Sequence, residues 1–224
     1  MHVKIISIFP DLFSGFIDNS LISKALEKNL IKIETINLRD YSLPPHNRVD
    51  DEIYGGGAGM LFKPEPLAKA IQSAKENFDA TVILMTPSGE VFNQSKALTF
   101  SKEENLIIVC ARYEGIDQRI IDLYIDHEIS IGDYILMGGE IPSMVLIESI
   151  TRLIPGVLGN SESIIHESFS DNLLEAPQYT RPEEFQGLNV PKVLLSGDHQ
   201  EIAKWRDEKS LEKTKKIRPD LLKK

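Results

Sequence analysis

Three short segments contain residue types from which a ligand pocket could be built, and each directly follows a predicted strand. They are Thr86-Pro87-Ser88-Gly89, Arg112 to Asp117, and Ile131 to Tyr134 together with Gly138-Gly139-Glu140. Glycine lets the backbone approach a ligand closely or adopt a positive φ. Ligands of open α/β sheets sit outside the carboxyl ends of the strands, so we expect the three turns to share one pocket. Each turn taken alone is typical of a plain loop, and the three turns together do not identify the ligand.

A run of glycine within residues 55–59 invites comparison with a phosphate-binding loop. It does not fit a P-loop, which requires Gly-Lys-Ser/Thr, because Met60-Leu61-Phe62 separates the run from Lys63. The spaced fingerprint of dinucleotide-binding proteins is also missing. Two interpretations stay open, a flexible loop facing the substrate and a tight turn required by the fold. The preceding acids Asp50-Asp51-Glu52 are compatible with a metal site and, more commonly, with a solvated loop.

Several well-known catalytic patterns are absent from the sequence. The five histidines show no ligand spacing and no Gly-x-Ser-x-Gly elbow is present, which argues against a zinc site and a serine hydrolase. Cys110, the single cysteine, ends an apolar run and is predicted to be a buried, inert thiol. Arg152, near the end of a predicted apolar helix, and Glu167, in a polar segment, are more suggestive. Taken alone, they are typical of a snorkelling arginine and a surface acid.

The elements that must position these residues alternate between strands and helices. The chain has 224 residues, 42% hydrophobic, which is ordinary globular composition. Apolar runs predict strands and helical apolar spacing predicts helices, so we expect an α/β domain with a mainly parallel sheet. The predicted strands cover residues 3–9, 31–36, 81–85, 106–111 and 127–131, and the predicted helices cover 11–22 (capped by Asp11), 64–77, 95–100, 117–125 (capped by Asp117) and 141–153, with a polar loop over 40–60.

The alternating pattern ends after Gly159. Residues 160–180 are polar and without periodicity, which predicts a linker. Beyond Arg181 we expect mostly short helices, with Trp205 and Leu211 as candidates for their small core. The sequence therefore predicts two domains joined by a mobile segment.

Charge is distributed unevenly along the chain. The net charge is −9, but residues 192–224 carry ten Lys and Arg against six Asp and Glu, a net charge of +4, and the remainder carries −13. Such a tail is compatible with a solvated helical surface or with a segment that meets a polyanion. No apolar stretch approaches the length that spans a bilayer. We expect no membrane association and an intracellular, cytoplasmic location.

Taken together, the motifs strongly resemble the bacterial tRNA (guanine-N1)-methyltransferase family over essentially the whole chain. So many motifs in the same order are far more specific than a lone glycine-rich loop. The resemblance rests on Val49-Asp50-Asp51, Tyr54-Gly55-Gly56-Gly57-Ala58-Gly59-Met60, Cys110-Ala111-Arg112-Tyr113-Glu114-Gly115-Ile116-Asp117, Ser130-Ile131-Gly132-Asp133-Tyr134, Gly138-Gly139-Glu140, Arg152-Leu153-Ile154-Pro155-Gly156-Val157-Leu158-Gly159, Pro177-Gln178-Tyr179-Thr180-Arg181-Pro182, Val193-Leu194-Leu195-Ser196-Gly197-Asp198-His199 and Trp205-Arg206.

The resemblance implies a fold and an activity that periodicity does not reveal. It implies a SPOUT-class α/β domain with a mainly parallel sheet and a deep trefoil knot over residues 1–159, a flexible linker over 160–180 and a small helical domain over 181–224 that contacts the tRNA anticodon stem-loop. It further implies a homodimer that binds S-adenosylmethionine in the knot, with a possible Mg²⁺ requirement whose ligands stay unknown. The implied reaction is methyl transfer to N1 of the guanine immediately 3′ of the anticodon (position 37).

Site residues follow from the same resemblance. It places a general base at Glu167, where the family often has Asp, and a cation at Arg152, with His166 and Asp171 as possible substitutes for the base. For the substrate it implies Glu114, Asp50, Tyr54, Gly57 and Gly59. For S-adenosylmethionine it implies Thr86, Pro87, Gly89, Ala111, Tyr113, Gly115, Ser130, Ile131, Gly132, Asp133, Tyr134, Ile135, Leu136, Gly138, Gly139 and Pro142.

Two other functions are compatible with parts of the sequence. A non-catalytic RNA-binding protein of the same fold would explain the Glu at position 167. A nucleotide-binding α/β oxidoreductase would explain the alternating pattern, but the missing dinucleotide fingerprint weakens it.

Overall fold

The computed structural model describes residues 1–159 and 167–223 and divides the chain into two compact units, Met1–Gly159 and Asn160–Lys224. Residues 160–166 of the expected linker, including His166, lie outside the described residues. In the part of the chain that is described, no helix combines the length and the apolar character needed to cross a membrane.

A sheet of five parallel strands forms the centre of the first unit, which confirms the predicted α/β class. Its strands are β1 (His2–Ser7), β2 (Lys32–Asn37), β5 (Thr81–Val91), β6 (Asn105–Cys110) and β7 (His127–Ser130). Their order in the sheet is β2-β1-β6-β5-β7, with β1 in register from His2 opposite Asn105 to Ile6 opposite Val109 of β6. Because all five strands run in one direction, their carboxyl ends lie at a single edge.

Helices cover both faces of this sheet. They are α1 (Ser14–Ile17), α2 (Ser20–Glu27), α3 (Pro64–Lys75), α4 (Gln94–Phe100), α5 (Gln118–Tyr124) and α6 (Glu140–Thr151). Alternate residues of a strand point to opposite faces, so Ile107 packs in the core with α3 and α5, while Ile108 packs in the core with α4 and α6. Burial on both faces explains why the strands read as continuous apolar runs.

The predicted helix over residues 11–22 is wrong in detail. A 3₁₀ turn over Pro10–Phe13 leads into α1, and α2 begins separately at Ser20, whose φ of 64° interrupts the helical path. Asp11 does not cap the first turn, because Phe9 occupies the N-cap position and no side chain bonds there. Asp117, in contrast, accepts a hydrogen bond from the Arg119 backbone N–H and caps α5 as predicted.

A small hairpin interrupts the segment predicted as a loop over residues 40–60. Its strands are β3 (Asp50–Asp51) and β4 (Leu61–Phe62), and they pair antiparallel. The Phe62 ring is buried, and its backbone N–H donates to the Gly115 carbonyl at 3.1 Å. The glycine run is therefore the tip of a hairpin whose base is attached to the turn after β6.

The second unit differs from the expected series of short helices. It contains a hairpin of β8 (Glu184–Phe185) and β9 (Leu188–Asn189), a 3₁₀ turn over Lys192–Leu195, and α7 (His199–Ile217), a single helix of 19 residues. The side chain of Asp198 caps α7 by accepting from two backbone N–H groups. Trp205 is half-buried with its ring 6.3 Å from that of Tyr179, but Leu211 is exposed, so its predicted place in a core is wrong.

Candidate active site

The three predicted turns surround one cavity at the carboxyl ends of β5, β6 and β7. Its volume is about 270 Å³, close to the lower end of the roughly 300–1,000 Å³ typical of ligand pockets. The expectation that the turns share a pocket is therefore confirmed. The cavity is lined by Met85, Thr86, Pro87, Ser88, Ala111, Arg112, Tyr113, Glu114, Gly115, Ile129, Ser130, Ile131, Gly132, Tyr134, Ile135, Leu136, Met137, Gly138, Gly139 and Pro142.

Two of the residues expected at the methyl donor, Gly89 and Asp133, are not among the lining residues. Gly89 has a packing role beside the pocket, since a Cβ at this position would lie 2.4 Å from the backbone carbon of Glu128. It lets β5 and β7 approach closely beside the pocket.

Sequence reasoning assigns no role to several lining residues. Met85 and Ile129 lie at or near the ends of predicted strands, so the rule that ligands bind at the sheet edge could have found them. Ser88 and Arg112 stand inside the three turns from which a pocket is expected. Met137 lies in a loop and no sequence signal points to it.

Two glycines of the pocket show why side chains are excluded there. Gly132 has a φ of 145°, and a Cβ would lie 2.6 Å from the ring of Tyr134. At Gly139 a Cβ would lie 2.8 Å from the Cα of Cys110, while the Gly139 N–H donates to the Ala111 carbonyl at 2.8 Å. Gly139 is therefore required for the packing of α6 on β6 as well as for the shape of the pocket.

The turn after β6 carries an unusual backbone conformation. Tyr113 has a φ of 59°, which is uncommon for a residue with a bulky side chain. Its ring packs edge-on against Phe62 at 5.5 Å, and the adjacent Glu114 N–H donates to the Met60 carbonyl at 3.0 Å. Such backbone conformations persist only where surrounding contacts hold them, and they cluster at functional sites.

An ion pair beneath the pocket joins the ends of two strands to α6. Glu140 is 1% exposed and accepts hydrogen bonds from the Ser7 hydroxyl at 2.7 Å and from Arg112 Nε at 3.1 Å. The guanidinium of Arg112 lies over the Phe9 ring at 4.5 Å, a cation–π contact. Since Arg112 also lines the cavity, Glu140 fixes a cationic side chain at the wall of the pocket.

The residues expected at the substrate are distributed over the hairpin and the turn after β6. Glu114 lines the cavity and lies against Gly59, where a Cβ would be only 2.5 Å from the Glu114 Cγ. Asp50 belongs to β3. Tyr54 is 98% exposed at the hairpin tip, and Gly57, with a φ of 135°, also lies there with open space around it. The structure thus brings Gly59 and Glu114 together and leaves the hairpin tip open to solvent.

The proposed catalytic pair is divided between the two units. Arg152 is half-buried and follows directly after α6, where its backbone N–H donates to the Glu148 carbonyl at 3.2 Å. Glu167 is half-buried in the second unit, where it lines a groove with Asp171, Leu174 and Ser210, among others.

Cys110 lies beside the pocket and is buried. Burial raises the pKa of its thiol, because the charged thiolate would lose its hydration. Its sulfur contacts the Ser143 hydroxyl at 3.1 Å, and that hydroxyl donates to the Gly139 carbonyl at 2.6 Å. The expectation of a buried thiol is confirmed.

Comparison with known proteins finds one family that matches this chain. A family model described as "tRNA (Guanine-1)-methyltransferase TrmD" matches residues 1–224. A tRNA (guanine-N(1)-)-methyltransferase of Clostridium beijerinckii is 54% identical over 224 residues, covering 100% of this chain and 93% of the relative. Relatives of the same name from Listeria monocytogenes and Dictyoglomus turgidum are 51% and 50% identical, covering 100% of this chain and 92% and 91% of their own lengths.

Proposed function

The chain belongs to the tRNA (guanine-1)-methyltransferase family, and from that premise we propose that it transfers a methyl group from S-adenosylmethionine to N1 of a guanine in tRNA. The guanine is proposed to be the one immediately 3′ of the anticodon. The observation that carries the proposal is the cavity at the strand ends, because the motifs that line it are those by which the chain resembles the family. The names of the relatives favour catalysis over a purely RNA-binding role.

The lining of the cavity fits a nucleoside with a short polar chain. Apolar side chains such as Leu136 and Pro142 provide a surface for a planar ring, and the glycines expose backbone N–H and C=O groups that can bind its polar atoms. S-adenosylmethionine, when bound, supplies a methyl group on a positively charged sulfur. The residues proposed to hold it are those of the three turns, and the deep trefoil knot implied by the resemblance is part of the same proposal.

The chemistry on guanine explains the two proposed catalytic residues. N1 of guanine carries a proton and is a poor nucleophile until that proton leaves. The carboxylate of Glu167 accepts the proton, N1 forms its bond to the methyl carbon, and the sulfur keeps the electron pair of the bond that breaks. As the proton departs, negative charge spreads toward O6, where the guanidinium of Arg152 stabilises it. Glu114 is proposed to bind the edge of the guanine, which must leave its stack to be reached.

A second copy of the chain is the proposed partner of α6. One side of this helix is buried against the sheet, but Ile141 and Val145 on the other side are 61% and 40% exposed. In the preceding loop Ile135 and Met137 are 80% and 90% exposed. Exposed apolar side chains so near one another in the sequence are typical of an interface, and they support the homodimer that the resemblance implies.

The second unit is proposed to bind the tRNA, in the cytoplasm, through its basic helix. Lys215 and Lys216 are exposed in the last turn of α7 and are available to phosphates. A Mg²⁺ requirement is also implied by the resemblance. Across residues 1–159 and 167–223, no three His, Cys, Asp or Glu side chains are grouped as a metal site would require, so we derive no step through this ion.

The test is single-turnover methylation of a tRNA transcript with S-adenosylmethionine, followed by nucleoside analysis. We expect 1-methylguanosine when guanine follows the anticodon and no product when adenine replaces that guanine. A transcript that is bound but never methylated would refute the enzymatic function. Methylation of the adenine transcript at an unchanged rate would refute the proposed target.

Glu167→Gln tests the proposed base, because it keeps the size of the side chain and removes the proton acceptor. At saturating substrates we expect the rate of methyl transfer to fall about 10²–10⁴-fold, with binding of tRNA and S-adenosylmethionine retained. Glu167→Asp is the matched control and should stay active if the site tolerates the shorter side chain. A Glu167→Gln rate within a few-fold of wild type would exclude Glu167 as the base and leave the family assignment intact.

A further inference from the structure

The segment that carries Glu167 is folded into a tight turn. The Phe169 N–H donates to the Leu173 carbonyl at 2.8 Å, and the Glu175 N–H donates to the Ser168 hydroxyl at 3.0 Å. Phe169 has a φ of 79°, a conformation that a bulky side chain rarely adopts. A turn of this kind needs support from outside, because its own backbone conformation is unfavourable.

That support comes from one face of α7, about forty residues later in the chain. Leu174 is held at both of its backbone groups: its N–H donates to the Thr214 hydroxyl at 2.8 Å and its carbonyl accepts from the Ser210 hydroxyl at 2.6 Å. Lys213 Nζ donates to the Glu175 carbonyl at 3.0 Å. Ser210, Lys213 and Thr214 have helical spacing and so share a face of α7.

Ser210, Lys213 and Thr214 together form a clamp on the turn, and Thr214 is its central member. It is fully buried, although it is a polar residue in a helix whose other residues are mostly exposed. Its hydroxyl donates to the Ser210 carbonyl at 2.8 Å while accepting from Leu174, so both of its hydrogen-bonding roles are used. Such a buried, fully satisfied polar contact fixes a geometry more strictly than apolar packing does.

We propose that Thr214 and Ser210 are positioning residues for methyl transfer, which act by holding the turn that presents Glu167. This inference rests on the proposed function, since it takes Glu167 as the base. Glu167, Leu174 and Ser210 also line one groove of the second unit, so the proposed base and part of the clamp face the same space. Accurate placement of a catalytic group matters because a displacement of about 1 Å can reduce a rate about 10²-fold.

The experiment compares single-turnover rates of the full-length enzyme with a tRNA transcript at saturating S-adenosylmethionine. Thr214→Val keeps the shape of the side chain and removes the acceptor for the Leu174 N–H. We expect the rate to fall about 10²-fold with affinities for both substrates unchanged, and Thr214→Ser to restore it. Thr99→Val is the matched control, because Thr99 also donates to a carbonyl one helical turn earlier but is exposed on α4.

A double-mutant cycle separates positioning from a general structural effect. If Thr214 acts through Glu167, then Thr214→Val should cost less than about 3-fold in the Glu167→Gln background, since residues acting as a unit are not additive. An unchanged rate for Thr214→Val, a loss confined to tRNA affinity, or an equal loss in both backgrounds would each overturn the inference. Ser210→Ala repeats the test if Thr214→Val does not fold. A fully active Glu167→Gln enzyme would instead refute the proposed base itself.

Discussion

Replacing Glu140 by Gln tests whether the buried ion pair beneath the pocket stabilises the first unit. The substitution keeps the size of the side chain and removes its negative charge. Ser7 and Arg112 both donate to this carboxylate, and Ser7 is completely buried. Gln offers a single acceptor oxygen, and its amide nitrogen carries hydrogens that the Arg112 guanidinium, which is only a donor, cannot accept. The Arg112 charge is then left without its partner.

The expected loss of stability follows from the burial of the two partners. Removing one member of a buried ion pair costs about 3–5 kcal/mol, because the remaining charge is left uncompensated. The Arg112 side chain is 21% exposed, so water compensates part of its charge and the lower end of that range applies. We therefore expect the free energy of unfolding to fall by about 3 kcal/mol. For a chain of this size such a loss lowers the melting temperature by about 6–12 °C.

Scanning calorimetry of the full chain measures this change. Glu65→Gln is the matched control, because Glu65 is also an acid in the first turn of a helix but is exposed, and it should change the stability by less than about 0.5 kcal/mol. Combining Arg112→Gln with Glu140→Gln should be less damaging than the sum of the two, by at least about 0.5 kcal/mol. Equal melting temperatures for Glu140→Gln and Glu65→Gln would refute a stabilising role for the pair.

Three further predictions concern binding. Gly132→Val should abolish binding of S-adenosylmethionine in calorimetric titration, because Val would be strained at a φ of 145° and would collide with the neighbouring tyrosine ring. A normal affinity would exclude this turn from the S-adenosylmethionine site. Changing Lys215 and Lys216 together to Gln should weaken tRNA binding. The slope of log affinity against log salt concentration should become shallower by about 0.7–0.9 for each phosphate that these lysines neutralise. An unchanged slope would exclude both lysines from the interface. Ile141→Glu should convert the proposed homodimer to a monomer in sedimentation experiments, and an Ile141→Glu variant that still forms a dimer would place the interface elsewhere.

The strands and the pocket could be predicted because they depend on local patterns and one rule of topology. A run such as Leu106 to Cys110 is buried on both faces, so its apolar character is continuous and easily recognised. Parallel strands end at a common edge, which brings turns together that are far apart in the sequence. The short strands β3 and β4 escape prediction, because two residues are too few to show a period.

Other features depend on tertiary contacts that no local pattern reveals. The positive φ at Ser20, which separates α1 from α2, has no signal in the sequence. Arg112 and Glu140 are 28 residues apart, and only the fold brings them into contact. The sequence predicts several short helices in place of α7 because this helix lacks an apolar stripe. Its one buried side chain, Thr214, is polar, and it is buried by its contact with the turn at Leu174.

The burial of Cys110 makes this residue an internal reporter of opening in the first unit. It is the only cysteine of the chain, and because it is buried in the core, a thiol reagent reaches it only when the packing around it opens. When reclosing is faster than modification, the labelling rate measures the free energy of that opening. A ligand that binds only the closed state at 100 times its dissociation constant adds about 2.7 kcal/mol. Saturating S-adenosylmethionine should then slow labelling about 10²-fold. Labelling of Cys110 therefore measures both the stability of the first unit and the occupancy of its ligand site, without an introduced probe.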